Sequence, residues 1–428
     1  MTTSNPAPGA DQGRAPSPDA DAAAVVRGFS LQDLPPSFYD DPYPTYRALR
    51  SIDPIHRMPD GSLFLTRHRD LEAIYKDTAR FSSDKKVEFA PKYGTDSLLF
   101  QHHTTSLVFN DPPLHSRVRR LIAGALNPRA IAEMEPALVA LVDRLLDRMA
   151  AQMEARGEVD LIEDFAAAIP VEVIGNLLAV PHQDRGPLRG WSLAILGALE
   201  PVLSVQAQQR GERAVAEFLD FLRDLVADRR RRPGDPDHDV LTRLIQGEAS
   251  GEQLSEIELL QNCIFILNAG HETTTNLIGN GLDLLMRYPD ERQRLIEDPS
   301  LIRTAIEEFL RFESSNQLGN RRVVADAEID GVAMPEGTLI TLCIGAANRD
   351  PEQFPQPDRL DIGRSPNRHL GFGSGPHVCA GLNLARLEGR IAIGRFLARF
   401  PQFAASGPGQ RARRARFRGF TALSARLG

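Results

Sequence analysis

The 428-residue sequence is poor in cysteine. Its three cysteines, Cys263, Cys343 and Cys379, form no CxxC pair and no disulfide framework, which fits a reducing, cytoplasmic location. No apolar run approaches the ~18–20 residues that span a bilayer, so no membrane anchor is expected. The start lacks both a basic stretch and an apolar stretch, so no signal peptide is expected. There is no excess of positive charge: the net charge of -7 gives no reason to expect a nucleic-acid partner. There is no internal repeat, and the interior holds no Gly/Ser linker. Residues 1–25, rich in Ala, Pro, Asp and Ser without periodicity, read as a disordered tail, leaving 26–428 as one domain.

Helical periodicity dominates what remains. Helices are expected near 41–50, 70–75, 114–126 and 130–155, with several more over 160–250, and short strands near 61–66, 322–343 and the C-terminus. The stretch 87–114, with adjacent His102 and His103, reads as an irregular, solvated loop rather than a metal site. The basic run from Arg229 reads as the polar end of a surface helix. Ser255 followed by Glu258 forms a capping box, opening a helix that reaches about Arg287. Those ~32 residues would extend ~48 Å. Mid-helix, an apolar stretch is followed by Gly270, the acid Glu272 and three threonines, Thr273 to Thr275, poor choices for a core helix and the kind of local conflict found at functional sites. Ala269 and Gly270 leave room for a small ligand, while Glu272 and Thr273 offer a carboxylate and a hydroxyl for passing protons. His271-Glu272 begins like a zinc-protease motif, but position 275 is Thr, so the second histidine is missing.

The chain is organised around residues 372–381, Phe-Gly-Ser-Gly-Pro-His-Val-Cys-Ala-Gly. Cys379 sits in a glycine-rich loop just before a helix-like run, where amides and the helix dipole favour a thiolate. Gly373, Gly375 and Gly381 permit unusual backbone geometry, and Phe372 supplies an apolar wall. Such a protected thiolate suits a proximal ligand to haem iron.

This loop resembles the haem-binding signature of the cytochromes P-450, and residues 269–273 resemble the family's oxygen-activation motif. Glu308 and Arg311 resemble its Glu-x-x-Arg pair, and Arg359 is then the expected third partner. The resemblance covers about 35–428 and implies a mainly α fold with a small β-rich part, the triangular helical prism of the family. It implies a haem b (iron protoporphyrin IX) bound through Cys379, with His115, Arg119, Arg321 and His377 on the propionates; Arg322 competes with Arg321 for that role. Ala269, Gly270, Phe372, Gly373 and Gly381 would border the haem. Glu272 and Thr273 would be catalytic. The substrate pocket would include Phe265, Asn268, Gln317, Leu318 and Phe420, suiting a hydrophobic small molecule with one or two hydrogen-bonding groups. The activity implied is a monooxygenase using O2, with electrons from a separate ferredoxin and an NAD(P)H-dependent ferredoxin reductase. Arg117, Arg120, Arg364 and Arg368 would form a basic patch for that partner. The alternatives are a peroxide-driven peroxygenase and a non-catalytic haem-thiolate sensor, neither of which needs the acid–alcohol pair.

Overall fold

The computed structural model describes residues 18–236, 239–247 and 254–428. Residues 1–17 of the expected tail lie outside the described residues. Its last part does not behave as a tail: Pro18–Arg27 is a helix, and Val26 and Phe29 pack with Tyr46 and Phe64 in a satellite core. Burying such side chains contributes about 1.5–3 kcal/mol each, enough to hold a short helix that propensity alone would not.

The axis of the fold is the helix Glu256–Arg287. Its capping box forms as the sequence predicts: the Ser255 hydroxyl accepts from the Glu258 N–H and the Glu258 carboxylate accepts from the Ser255 N–H. The helix runs unbroken through its polar middle. Thr273 and Thr275 donate to the carbonyls of Ala269 and His271, at 2.7 and 3.0 Å, which satisfies their hydroxyls without opening the backbone ladder. Around this axis pack Ala168–Leu177, Leu188–Gly197, Val205–Arg231, Ile302–Phe312 and Leu382–Arg399.

A five-stranded sheet flanks the helices in the order Ile55–Arg57, Leu63–Leu65, Leu339–Cys343, Leu318–Val323, Phe81–Ser82. Leu63–Leu65 pairs parallel with Leu339–Cys343; the other neighbours are antiparallel. Since side chains alternate along a strand, Arg321 and Arg322 point to opposite faces. Arg321 is buried and Arg322 is not.

The region 87–114 departs from the solvated loop expected of it. It forms the helices Lys86–Tyr93 and Leu98–Thr105 and a short turn at Leu107–Phe109. His102 and His103 are buried. His103 sits among the rings of Phe89, Tyr93 and Phe109, and His102 shares a hydrogen bond with Gln261 at 2.9 Å. Burial drives both imidazoles to the neutral form, His102 to about 4. Aromatic contacts across a turn boundary are invisible to periodicity, which is why the stretch read as irregular. Among the described residues no group of three or more His, Cys, Asp or Glu is placed to hold a metal.

Candidate active site

Cys379 lies between a turn at Gly375–His377 and the helix Leu382–Arg399. Its N–H donates to the Phe372 carbonyl at 2.9 Å, closing the loop on itself. Gly373 and Gly375 adopt φ of +69° and +66°, the left-handed region that glycine tolerates. At Gly375 a Cβ would also come within 2.3 Å of the Tyr75 carbonyl, so the glycine is required twice. By area Cys379 is only half-buried, yet enough protein surrounds it that desolvation pushes its thiol up, against the Gly381 N–H, Arg119 and Arg386, which pull it down. A side chain both partly accessible and desolvated faces an internal cleft.

A second partly accessible strip lies on the central helix, which packs against Leu382–Arg399, the helix that follows Cys379. The central helix is buried there except at Phe265, Gly270 and Thr273, which are half-buried, and Ala269, which is exposed. Positions 265, 269 and 273 are one turn apart and share one face. Behind that face, a Cβ on Gly270 would meet the Ile174 side chain at 2.6 Å, so a larger residue there would push that side chain aside.

Four basic side chains gather beside the cysteine loop. The rings of His115 and His377 lie 3.9 Å apart, centroid to centroid. Arg119, one turn after His115, donates to the Val378 carbonyl at 2.7 Å. Arg321 is 7% exposed and stacks over Tyr75. The Nε2 atoms of His115 and His377 and the Nε of Arg321 have no partner. Burial, followed by the charges of Arg321, His115 and Arg119, lowers His377 to about 3. The carboxylate acting on His115 and Arg321 is Asp111, already engaged by Ser82 and the Ser83 N–H. Buried, mutually repelling donors with free nitrogens form a site for an added anion. That chemistry fits the two carboxylates of a haem whose iron meets Cys379.

The loop rests on a buried ion pair. Glu308 and Arg311 are wholly buried and bidentate, at 2.7 and 2.8 Å. Arg311 also donates to the Asn348 carbonyl at 2.9 Å, and the Asn348 side chain accepts from the Leu370 N–H at 2.7 Å, which carries the support to the loop. The third partner is not Arg359. That side chain is exposed and contributes through its carbonyl, to which Arg311 and Arg364 donate. The guanidinium on Glu308 is Arg364, at 3.2 Å. The basic patch loses members accordingly: Arg364 is half-buried and engaged in this network, and Arg117 is paired with Glu258.

The pocket residues divide. Phe265 and Asn268 belong to the central helix; Asn268 is buried, 3.4 Å from the His102 Nε2, with Oδ1 unpartnered. The other three are buried with partners of their own. Gln317 is buried against Gly345 and donates to the Ser314 carbonyl, Leu318 packs in the satellite core with Phe64, and Phe420 lies under the Arg411 guanidinium at 3.7 Å.

Several residues of the site escaped sequence reasoning. Glu307 binds Arg386 at 2.7 Å and His369 at 3.2 Å, and Arg386 lies over Phe372, bracing the loop from outside. Three arginines of 411–418 pair with buried acids, Arg414 with Glu272 and Arg411 and Arg418 with Glu313, while the Arg416 side chain donates to the Leu199 and Leu318 carbonyls.

The cytochrome P450 family model matches residues 194–410. The chain is 39% identical to a vitamin D(3) 25-hydroxylase of Pseudonocardia autotrophica, over 89% of this chain and 92% of that protein. It is 36% identical to a biotin biosynthesis cytochrome P450 of Bacillus subtilis, over 85% and 90%. The crystal structure of P450BioI in complex with hexadec-9Z-enoic acid ligated acyl carrier protein superposes with a TM-score of 0.85 at 34% identity, covering 92% of this chain and 99% of that one.

Proposed function

Since the chain belongs to the cytochrome P450 family of monooxygenases, we propose that it inserts one oxygen atom from O2 into a hydrophobic small molecule. Electrons would come from a ferredoxin and an NAD(P)H-dependent reductase, in the cytoplasm. No helix among the described residues is long and apolar enough to cross a membrane. The prosthetic group is haem b, which when bound supplies the thiolate-ligated iron at which dioxygen is activated. The observation that carries this reading is the cluster of His115, Arg119, Arg321 and His377, with its unpartnered buried nitrogens, set beside Cys379.

In this reading Cys379 holds the iron and the four basic groups take the propionates. Arg321 fills that role and Arg322 does not, because Arg322 points to the other face of its strand. Thr273 donates its own hydrogen to Ala269, so its oxygen is presented to the cleft as an acceptor for a proton-bearing group. Glu272, buried and raised by desolvation against the pull of Arg414, can hold a proton and pass it on. Phe265 and Ala269 form an apolar wall, with Asn268 as a polar anchor. The vitamin D(3) of one relative's name and the hexadec-9Z-enoic acid carried into another's complex are largely hydrocarbon, which supports the same substrate class here.

The test is the spectrum of the reduced holoprotein with carbon monoxide. A strongly red-shifted Soret band supports Cys379 ligation; a histidine-type band or failure to bind haem overturns it. Thr273→Ala is expected to keep that band and to divert several-fold more of the consumed reductant to peroxide; fully coupled hydroxylation would remove Thr273 from its role.

A further inference from the structure

Arg414 reaches into the site from the C-terminal segment. Its Nη1 donates to Glu272 Oε1 at 2.5 Å, and its Nη2 donates to the Leu193 carbonyl at 3.1 Å. Glu272 is 5% exposed, and its second oxygen, Oε2, has no partner. An arginine aimed squarely at a carboxylate takes both oxygens. Here the guanidinium is turned so that one oxygen is fixed and the other is left free, one residue before Thr273.

The segment bearing Arg414 is itself fixed. Glu200 accepts from the N–H groups of Ala415 and Arg416 at 2.8 and 3.1 Å, and Arg416 donates to the carbonyls of Leu199 and Leu318. Leu193 belongs to the helix Leu188–Gly197, and Glu200 follows its end. That helix walls an open groove of about 490 Å³ whose lining includes Leu31, Val202, Arg413 and Arg414. One guanidinium therefore touches both the buried acid and the wall of a groove reached from outside.

Resting on the proton-delivery role proposed for Glu272, we propose that Arg414 is the positioning residue of that acid: it holds Oε1, leaves Oε2 to carry the proton, and ties the acid to the helix Leu188–Gly197. The charged groups facing Glu272 are Arg414, Glu200 at the end of the wall helix, and Arg189 within it. Arg189 is already paired with Glu163, which leaves Arg414 as the main cation holding the carboxylate ionised. Removing Arg414 therefore moves the titration of Glu272 to higher pH, by about one unit or more for the loss of a close opposite charge.

The experiment uses the holoprotein, reduced, with carbon monoxide as the probe, and follows the infrared C–O stretching band against pH. Wild type is expected to show a titrating component that vanishes in Glu272→Gln. Arg414→Gln should keep the Soret band and shift that component upward by about one pH unit. Arg414→Lys, which keeps charge but cannot hold Glu272 and Leu193 together, should shift it by less. If the component survives Glu272→Gln, the acid's assignment fails and this inference fails with it. If it vanishes there but is unmoved in Arg414→Gln, only the positioning role is overturned. A purely structural role would lower haem content or Tm without moving the titration. Should Arg414→Gln not fold, an unshifted titration in Arg414→Lys overturns the proposal.

Discussion

Arg364 and Arg359 offer a sharp test of how the cysteine loop is held, because the two arginines lie five residues apart and only one reaches Glu308. Arg364 contacts the fully buried carboxylate at 3.2 Å and donates to the carbonyls of Pro355, Gln356 and Arg359 at 2.9, 3.3 and 3.2 Å. A hydrogen bond to a buried charged group contributes about 1.5–3 kcal/mol, and each carbonyl contact, partly replaced by water on deletion, adds well under about 1 kcal/mol. Arg364→Ala should therefore cost about 3 kcal/mol. Unfolding entropy of ~2.1 cal/mol/K per residue makes this a fall in Tm of only about 3–4 °C for a chain of this length. The loss is local, however, and falls on the segment that carries the loop, so haem retention should respond more than Tm. Arg359→Ala removes an exposed side chain whose one side-chain bond is to Gln356 at 3.4 Å, and should stay within about 0.5 kcal/mol. The assay is differential scanning fluorimetry of both variants alongside the fraction of haem that gives the thiolate-type carbon monoxide band. Equal damage from the two substitutions, or greater damage from Arg359→Ala, would refute the assignment.

Glu313 is buried among arginines. Burial alone would raise it, but Arg418, Arg411, Arg349 and Arg287 hold it at about 2. Because its folded value lies below the ordinary 4.5, its contribution is present above about pH 4.5 and is lost as pH falls towards 2. Glu313→Gln should cost about 3–5 kcal/mol at neutral pH and flatten acid unfolding over that window, read by circular dichroism against pH. Gly375→Ala places a methyl 2.3 Å from the Tyr75 carbonyl at a φ of +66°. It should cost about 1–3 kcal/mol in backbone strain alone, and purified protein should carry less haem; an unchanged haem content would show that the loop tolerates the displacement.

The sequence by itself determined what depends on local chemistry. The capping box at Ser255 and Glu258, the helix to Arg287, the one-turn spacing of His115 and Arg119, and the left-handed glycines Gly373 and Gly375 are each set by neighbours within a few residues and stand in the structure as their residue types require, whereas Gly381 keeps an ordinary backbone that does not demand glycine. What only the tertiary structure decided was which distant groups meet. Arg364 rather than Arg359 reaches Glu308, Arg321 is buried while Arg322 is not, and His102 and His103 are core. The physical reason is the same throughout. A buried charge must find its counter-ion wherever the fold brings one, and a strand shifted by one residue exchanges its two faces, so neither the partner nor the direction of a side chain is written in its own neighbourhood.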